Sequence, residues 1–182
     1  MGRLCMKENN AFLFIGDMPS FAGLLDKVLV LTTEDWTKYT ERKKTGGVAS
    51  KTTETIPLMY DTKHRINSKI LHQNYEQFSM YIEEIVSSTW EHLGEVKTQQ
   101  AMLAKLNAGT VIPRHMDKGP LTAKTHRIHV PVITNEGCIF NVGNESMNLK
   151  SGQIWVIDNV NRYHSVENTG HDDRVHLIID AI

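Results

Sequence analysis

Three side chains in the second half of the sequence have the types and spacing of a metal site. His115 and Asp117 are separated by one residue, so in an extended segment both side chains project to the same side of the chain. His164 lies near the start of a later segment with strand-like composition. Two imidazoles and one carboxylate can occupy one face of an octahedral metal and leave three adjacent positions open, as in non-haem iron(II) oxygenases. The sequence therefore predicts that these three residues hold iron(II), with room for a 2-oxo acid and dioxygen.

Two arginines and one histidine in the same half of the chain are candidates for binding an anion. Arg174 comes after His164, beyond the turn-like residues 167–170, and a hairpin return would place it on the next part of the same barrel. Its planar guanidinium suits bidentate capture of a carboxylate. Arg127 and His129 form another pair that shares one face of a strand. We expect all three to bind an anionic co-substrate.

The elements that must position these residues are predicted to be short strands. After Lys97 the apolar period shortens from the helical value towards two. Segments rich in β-branched residues alternate with turn signals that contain Gly or Asn; these segments are His129–Thr134, Ile139–Val142, Ile154–Ile157 and Val175–Ile179. Many short strands separated by turns indicate a sandwich or barrel.

The first half has a different pattern. Apolar residues at helical spacing predict helices over 21–29, from Thr33, and over about 74–92, whereas 12–15 and 56–60 are short strand candidates. The polar residues 41–56 are predicted to form a loop. We expect one oxygenase domain over residues 1–182, with 1–96 as a helical or irregular support that buttresses an outer face of the barrel and 97–182 as the catalytic core. The loop 41–56 and the segment Lys118–Thr125 are candidate lids.

Composition limits the possible partners. With 20 basic and 21 acidic side chains, the balanced charge gives no reason to expect a nucleic acid or an anionic membrane. Two cysteines, Cys5 and Cys138, cannot form a disulfide framework. There is no secretory signal and no apolar run long enough to cross a bilayer. These features predict a cytoplasmic protein whose partner is a small-molecule or peptide substrate, and they do not predict its oligomeric state.

The second half resembles the aspartyl/asparaginyl β-hydroxylases. The similarity covers roughly Gln100 to Asp180 and is carried by an ordered set of motifs: Asn107-Ala-Gly-Thr-Val-Ile-Pro-Arg-His115, Arg127-Ile-His-Val-Pro-Val132, Glu136-Gly-Cys138, Gly152-Gln-Ile-Trp-Val-Ile-Asp158, Tyr163-His-Ser-Val-Glu-Asn168 and Arg174-Val-His-Leu-Ile-Ile-Asp180. As an ordered set, these motifs are far more specific than the His-x-Asp pair alone.

The resemblance implies a double-stranded β-helix (jelly roll), iron(II), 2-oxoglutarate and hydroxylation of an unactivated carbon. His115 and His164 match the metal histidines of the family, and Arg127, His129 and Arg174 match the residues that hold 2-oxoglutarate. The mammalian peptide hydroxylases of the family lack a metal carboxylate after the first histidine. Asp117 therefore makes this chain more similar to bacterial relatives such as proline 3-hydroxylase, and it favours a small substrate.

Two alternatives remain open from the sequence. One is a cupin-type metalloenzyme that does not use 2-oxoglutarate, although cupin sites usually carry His-x-His where this chain has His115-Met-Asp117. The other is a non-catalytic jelly-roll binding module with inert histidines.

Overall fold

The computed structural model describes residues 10–39, 44, 47–61, 69–119 and 122–182. Its helices are α1 (Phe21–Leu29), α2 (Thr33–Thr37), α3 (Val48–Thr52), α4 (Tyr75–Ser88) and α5 (Trp90–Leu93), with a 3₁₀ turn at Thr122–Lys124. Its strands are β1 (Phe12–Asp17), β2 (Glu54–Asp61), β3 (Lys69–Leu71), β4 (Thr98–Leu106), β5 (Thr110–His115), β6 (His126–Ile133), β7 (Cys138–Val142), β8 (Glu145–Met147), β9 (Gln153–Ile157), β10 (His164–Asn168) and β11 (Arg174–Ala181).

The strands form two antiparallel sheets that face each other. The major sheet has the order β1-β9-β6-β11-β4-β2-β3, and the minor sheet has the order β5-β10-β7-β8. Apolar residues of both sheets pack in one buried cluster, which includes Leu106 and Ile157 of the major sheet and Ile112, Phe140 and Val166 of the minor sheet. This arrangement confirms the predicted mainly β, jelly-roll fold.

Strand alternation separates the helical support from the site. On β11, Val175, Leu177 and Ile179 pack in the cluster that contains the helices, whereas Arg174 and Ile178 line a pocket on the opposite face. Successive side chains of a strand point to opposite faces, so β11 packs against the helices with one face and lines the pocket with the other. The buried stripe of α4, which includes Phe78, Ile82 and Ile85, covers the outer face of the major sheet, as predicted for helices that buttress the barrel.

The two short strands predicted in the first half are present as β1 and β2, whereas the predicted loop 41–56 and the predicted helix over 74–92 differ from the structure. β1 pairs with β9 and β2 pairs with β4, so residues before 97 contribute strands to the major sheet as well as support. The predicted loop 41–56 is wrong for α3 and for the start of β2; residues 40–43, 45 and 46 lie outside the described part. The polar residue Glu54 does not mark a loop, because it begins β2 and forms an ion pair with Lys105 of β4, with 2.7 Å between Glu54 Oε2 and Lys105 Nζ.

The predicted helix over 74–92 is divided at Thr89. Thr89 is fully buried and its hydroxyl donates to the carbonyl of Val86 at 2.7 Å. Such a bond back to the preceding turn bends or interrupts a helix.

No helix in the described part of the chain has the length and apolarity needed to cross a membrane; cytoplasmic location stays a prediction.

Candidate metal centre and co-substrate pocket

His115, Asp117 and His164 converge between the two sheets. β5 and β10 are neighbours in the minor sheet, and His115 lies opposite His164 in their register. His115 Nε2 is 3.5 Å from Asp117 Oδ1, and His164 Nε2 is 3.9 Å from Asp117 Oδ2. One candidate ligand atom from each residue lies within 4.8 Å of the others. The structure thus brings together the three ligands predicted from the sequence, although metal binding itself stays a prediction.

Both imidazoles present Nε2 to this point. His115 Nδ1 lies 2.7 Å from the carbonyl of Pro113, and His164 Nδ1 lies 3.5 Å from the carbonyl of Arg162. Because a carbonyl can only accept, Nδ1 carries the proton in each ring and Nε2 keeps its lone pair. His115 Nε2 is buried without a hydrogen-bond partner among the described residues. A buried lone pair without a partner is costly, and a divalent metal at this point would satisfy it.

Asp117 is oriented through one of its two oxygens. Oδ2 accepts hydrogen bonds from Arg127 Nη1 and from Asn159 Nδ2, the latter at 2.6 Å. Oδ1 accepts no such bond and lies nearer to His115. The backbone N–H of Asp117 also donates to the carbonyl of Asn159 at 3.1 Å. Asp117 is therefore arranged to bind a metal through Oδ1 alone.

The protonation states of these ligands suit a divalent cation. Burial acts to raise the pKa of Asp117, but the adjacent His115 ring, 3.5 Å away, and the charge of Arg127 outweigh it and hold the pKa well below its usual range. Burial lowers the pKa of His164 to about 4. The Asp117 carboxylate raises the pKa of His115, so a metal must compete with a proton only at that ring.

Arg127 has partners other than the co-substrate predicted for it. Its Nε and Nη2 donate to the two oxygens of Asp180 at 2.7 and 2.9 Å, and its Nη1 reaches Asp117. Arg127 and Asp180 are directly opposite each other on β6 and β11. Asp180 is 1% exposed, so this is a buried, bidentate ion pair. The guanidinium of Arg127 is therefore occupied by two carboxylates of the chain itself.

A second basic cluster lies deeper between the sheets. Arg174 is 3% exposed and lies with its guanidinium 5.7 Å from the centre of the Phe140 ring. Its Nε is 3.0 Å from His176 Nε2 and its Nη2 is 2.8 Å from His176 Nδ1. His129 Nδ1 lies 3.2 Å from His176 Nδ1. The predicted pair Arg174 and His129 is thus joined through His176. The predicted hairpin is wrong, because β10 and β11 belong to different sheets.

This cluster has more donors than acceptors. Burial, followed by the charge of Arg174, holds the pKa values of His129 and His176 well below the usual range, so both rings are neutral. A neutral imidazole has one lone pair, and His176 cannot accept from Arg174 at both ring nitrogens. Among the described residues, no carboxylate forms an ion pair with Arg174. Burial lowers its pKa to about 10, so the guanidinium stays charged at neutral pH and lacks an anion.

The metal ligands and the basic cluster line one pocket of about 610 Å³, measured with its open mouth. α3 forms part of the wall through Ala49 and Ser50. Arg174 also borders a narrow space lined by Thr134, Cys138 and His176. The hydroxyl of Thr134 is buried there without a hydrogen-bond partner among the described residues. The described lining of the larger pocket therefore joins the candidate metal ligands to a buried guanidinium.

Asp180, Asn159 and Thr134 received no role in the site from the sequence. Asp180 could have been found from the sequence, because it lies an even number of residues from Arg174 and His176 in the same strand and is therefore an acidic residue on the same face. Asn159 reads only as part of a turn before His164. Thr134 ends a strand-like run, and nothing in its neighbourhood indicates a cavity.

Three examples represent the many solved structures that share this fold. They are a 2OG-Fe(II) oxygenase family oxidoreductase from Burkholderia pseudomallei (13% identity, TM-score 0.59, covering 71% of this chain and 65% of that one), the viral collagen prolyl hydroxylase of Paramecium Bursaria Chlorella virus-1 in a 2OG complex (11%, 0.59, 97% and 97%), and a prolyl hydroxylase from Trichoplax adhaerens in complex with a hypoxia-inducible-factor peptide (12%, 0.62, 98% and 86%). This chain thus spans slightly less than two thirds of the Burkholderia protein. At such identities the likeness establishes the fold alone.

No curated protein matches the sequence significantly. A family model described as aspartyl/asparaginyl beta-hydroxylase matches residues 28–182. The matched region contains the three candidate metal ligands and the basic cluster around Arg174. The chain therefore belongs to the aspartyl/asparaginyl β-hydroxylase family.

Proposed function

We propose that this protein hydroxylates an unactivated C–H bond of an amino acid or peptidyl residue. 2-Oxoglutarate and dioxygen are consumed, and succinate, carbon dioxide and the hydroxylated product are released. One observation carries the proposal: a buried arginine that has no carboxylate partner among the described residues lies in the same pocket as a His-Asp-His cluster. A metal-chelating dicarboxylate would satisfy both groups, because one end would chelate the metal held by the cluster and the distal carboxylate would pair with the arginine.

His115, Asp117 and His164 would hold the iron. Bound iron(II), together with 2-oxoglutarate and dioxygen, supplies the oxidising chemistry, which belongs to the cofactor rather than to the side chains. The protein contributes two neutral imidazoles with fixed tautomers and one ionised carboxylate with a free Oδ1. The sheets and α3 enclose the centre and restrict access of water.

Arg174 would bind the distal carboxylate of 2-oxoglutarate. The guanidinium is held in place by His176 and Phe140, so little side-chain entropy remains to be lost on binding. His129 is tied to His176 through Nδ1, which leaves Nε2 for the pocket and the nearer end of the co-substrate. Arg127, predicted to share this task, is instead assigned to the support of Asp117.

The reacting part of the substrate is proposed to be uncharged. Among the described residues of the pocket, the charged groups are the metal ligands, Arg174 and the Arg127 guanidinium, and each already has a partner in this scheme. The rest of the described wall is neutral: Ala49, Ser50, Thr53, Met102, Ala104, Ile112, His129, Phe140, Asn159, Val166 and Ile178. A free amino acid would bury two charges here without partners, which is unfavourable. This favours a peptidyl residue over the free amino acid that Asp117 suggested.

Ligand-induced stabilisation tests the site directly. Manganese(II), as a redox-inert substitute for iron(II), should raise the melting temperature, and 2-oxoglutarate should raise it further; saturation at 100 times the dissociation constant adds about 2.7 kcal/mol. Arg174→Met should abolish the 2-oxoglutarate increment and keep the manganese increment. Arg114→Met is the matched control, because Arg114 is exposed and stacks on Tyr163. A full 2-oxoglutarate increment in Arg174→Met would contradict the assignment.

Turnover tests the reaction. With iron(II), wild-type protein should release succinate slowly without substrate, and His115→Ala should not. Free amino acids and their N-acetylated, amidated counterparts should then be compared for stimulated succinate release and for a gain of one oxygen by mass spectrometry. Stimulation by the free amino acids alone would overturn the preference for a peptidyl substrate and leave the oxygenase assignment intact.

A further inference from the structure

Asp117 begins a chain of three charged side chains that continues through the half-buried Arg127 to the buried Asp180, and its role goes beyond binding of co-substrate. Asp180 accepts two hydrogen bonds from Arg127, and Arg127 donates a third to Asp117 Oδ2. Asp180 is not in contact with the metal ligands, and it does not line the pocket. A buried ion pair of this kind contributes little net stability, because desolvation offsets the attraction. Its position next to a candidate metal ligand therefore points to a role other than stability.

Asn159 acts on the same oxygen from the other side. Its side-chain N–H donates to Asp117 Oδ2 at 2.6 Å, and its backbone carbonyl accepts from the Asp117 N–H at 3.1 Å. Asn159 is 3% exposed. Two donors thus converge on Oδ2 and none on Oδ1, so the carboxylate cannot rotate to exchange its oxygens without breaking both bonds.

Arg127 alone would compete with the metal. A guanidinium next to a carboxylate prefers to take both of its oxygens in a bidentate pair, which would neutralise Asp117 and remove it as a ligand. Asp180 prevents this, because it engages Nε and Nη2 in the bidentate mode and leaves only Nη1 for Asp117. The geometry makes Asp180 the anion that holds Arg127 away from full pairing with Asp117.

We propose that Asp180, through Arg127 and with Asn159, is a positioning residue that keeps Asp117 available as a single-oxygen metal ligand. This inference rests on the proposed metal site but concerns residues that the metal does not touch. It makes a prediction that a purely structural role does not. Removal of Asp180 alone should harm metal binding more than removal of Asp180 and Arg127 together, because the double change also removes the competing cation.

The test measures manganese(II) affinity by calorimetry in full-length wild type, Asp180→Asn, and Asp180→Leu combined with Arg127→Met. Outer partners of metal ligands typically change affinity about 10- to 100-fold, and we expect Asp180→Asn to bind manganese in that range more weakly than wild type. The double variant should recover at least about tenfold of the loss. Urea unfolding of the metal-free proteins reports fold stability separately.

Each outcome decides the proposal. Equal manganese affinity in wild type and Asp180→Asn would overturn it. A double variant that binds no better than Asp180→Asn would also overturn it, since the network would then only maintain local structure. If the wild type itself does not bind manganese, the proposed metal site is wrong. The wild-type measurement alone separates this outcome from failure of the positioning role of Asp180. Asn159→Ala supplies a second variant, with weaker manganese binding expected from loss of one donor to Oδ2.

Discussion

At the scale of single residues, the site is defined by which atoms are left without partners. Among the described residues, His115 Nε2 has no hydrogen-bond partner, Asp117 Oδ1 accepts no hydrogen bond, and the Arg174 guanidinium has His176 as a partner but no carboxylate. In folded proteins nearly all buried polar groups are paired. Groups that are not paired, and that face one pocket, indicate where a metal and an anion bind.

Thr134 gives a prediction at this scale. Its hydroxyl is buried without a hydrogen-bond partner among the described residues and borders the same narrow space as Arg174, and we predict that it donates to the distal carboxylate of 2-oxoglutarate. Hydrogen bonds to charged groups contribute about 1.5–3 kcal/mol. Thr134→Val should therefore weaken 2-oxoglutarate binding about tenfold or more, measured by calorimetry in the presence of manganese(II).

Thr134→Ser is the matched control, because it keeps the hydroxyl and loses only a methyl group. It should retain most of the affinity for 2-oxoglutarate. Manganese affinity should be the same in both variants. A Val variant with wild-type affinity would show that the distal carboxylate does not reach this hydroxyl.

At the scale of elements, strand alternation and two turns decide where the site groups lie. Arg127 and His129 on β6, and Arg174, His176 and Asp180 on β11, share the inner face of the major sheet because the strand period is two. The β6–β7 turn, at Asn135–Gly137, packs against the turn at Thr169–Gly170 that precedes β11. The Thr169 N–H donates to the Gly137 carbonyl at 3.0 Å. This contact fixes the position at which β11 begins, and with it Arg174.

Gly137→Ala tests this contact. A Cβ at Gly137 would lie 2.4 Å from the backbone nitrogen of Gly170, and backbone atoms cannot move aside as a flexible side chain can. Overpacking of this kind costs about 1–3 kcal/mol, so the urea midpoint should fall. The 2-oxoglutarate increment in melting temperature should also shrink, because Arg174 follows the displaced turn.

Gly47→Ala is the control for this substitution. A Cβ at Gly47 meets nothing within 4 Å, and a change from Gly to Ala at the start of α3 should cost less than about 1 kcal/mol. If Gly137→Ala were as stable as Gly47→Ala, the two turns would not be in the contact described.

At the scale of the whole molecule, buried neutral histidines make stability depend on pH. Burial holds the pKa values of His129 and His176 well below the usual range, and it lowers that of His164 to about 4. The unfolded chain takes up protons on these rings below a pH of about 6.5, whereas the folded chain does not until lower pH. Folded stability should therefore fall as the pH drops from about 6.5 towards 4. His115 opposes this, since its pKa is raised and its contribution is present at low pH and lost as the pH rises.

Burial also lowers the pKa of His72, so four described rings act in one direction and one in the other, and the metal-free protein should be less stable at pH 5 than at pH 7. The contribution of His164 alone is on the order of 2 kcal/mol at pH 5. Urea midpoints at the two pH values measure the difference. His92→Gln, which changes an exposed histidine of α5, should leave the difference unchanged. Equal midpoints at pH 5 and pH 7 in the wild type would contradict the neutral state of the buried rings.

The whole molecule also decides among the functions that the sequence left open. The match of the aspartyl/asparaginyl beta-hydroxylase model over residues 28–182 favours the hydroxylase interpretation over a non-catalytic binding module and over a cupin-type metalloenzyme. The match extends well before residue 97, in agreement with strands β2 and β3 in the major sheet.

The sequence by itself determined the local geometry of the site. Residues two apart in an extended segment share a face, so the shared face of Arg127 and His129 could be predicted from spacing alone, and so could the convergence of His115 with Asp117, which lies just past the end of β5. The helical stripe over 75–88 and the turns at 107–109, 135–137 and 150–152 follow from equally local rules, and the structure confirms them.

Only the tertiary structure decided which distant residues meet. Arg127 faces Asp180 because of the register between β6 and β11, and Asn159 reaches Asp117 because two loops adjoin. Local periodicity carries no information on register or on contacts between sheets. For this reason, the sequence assigned Arg127 to the co-substrate, whereas the structure places it between two carboxylates, where it supports the metal ligand.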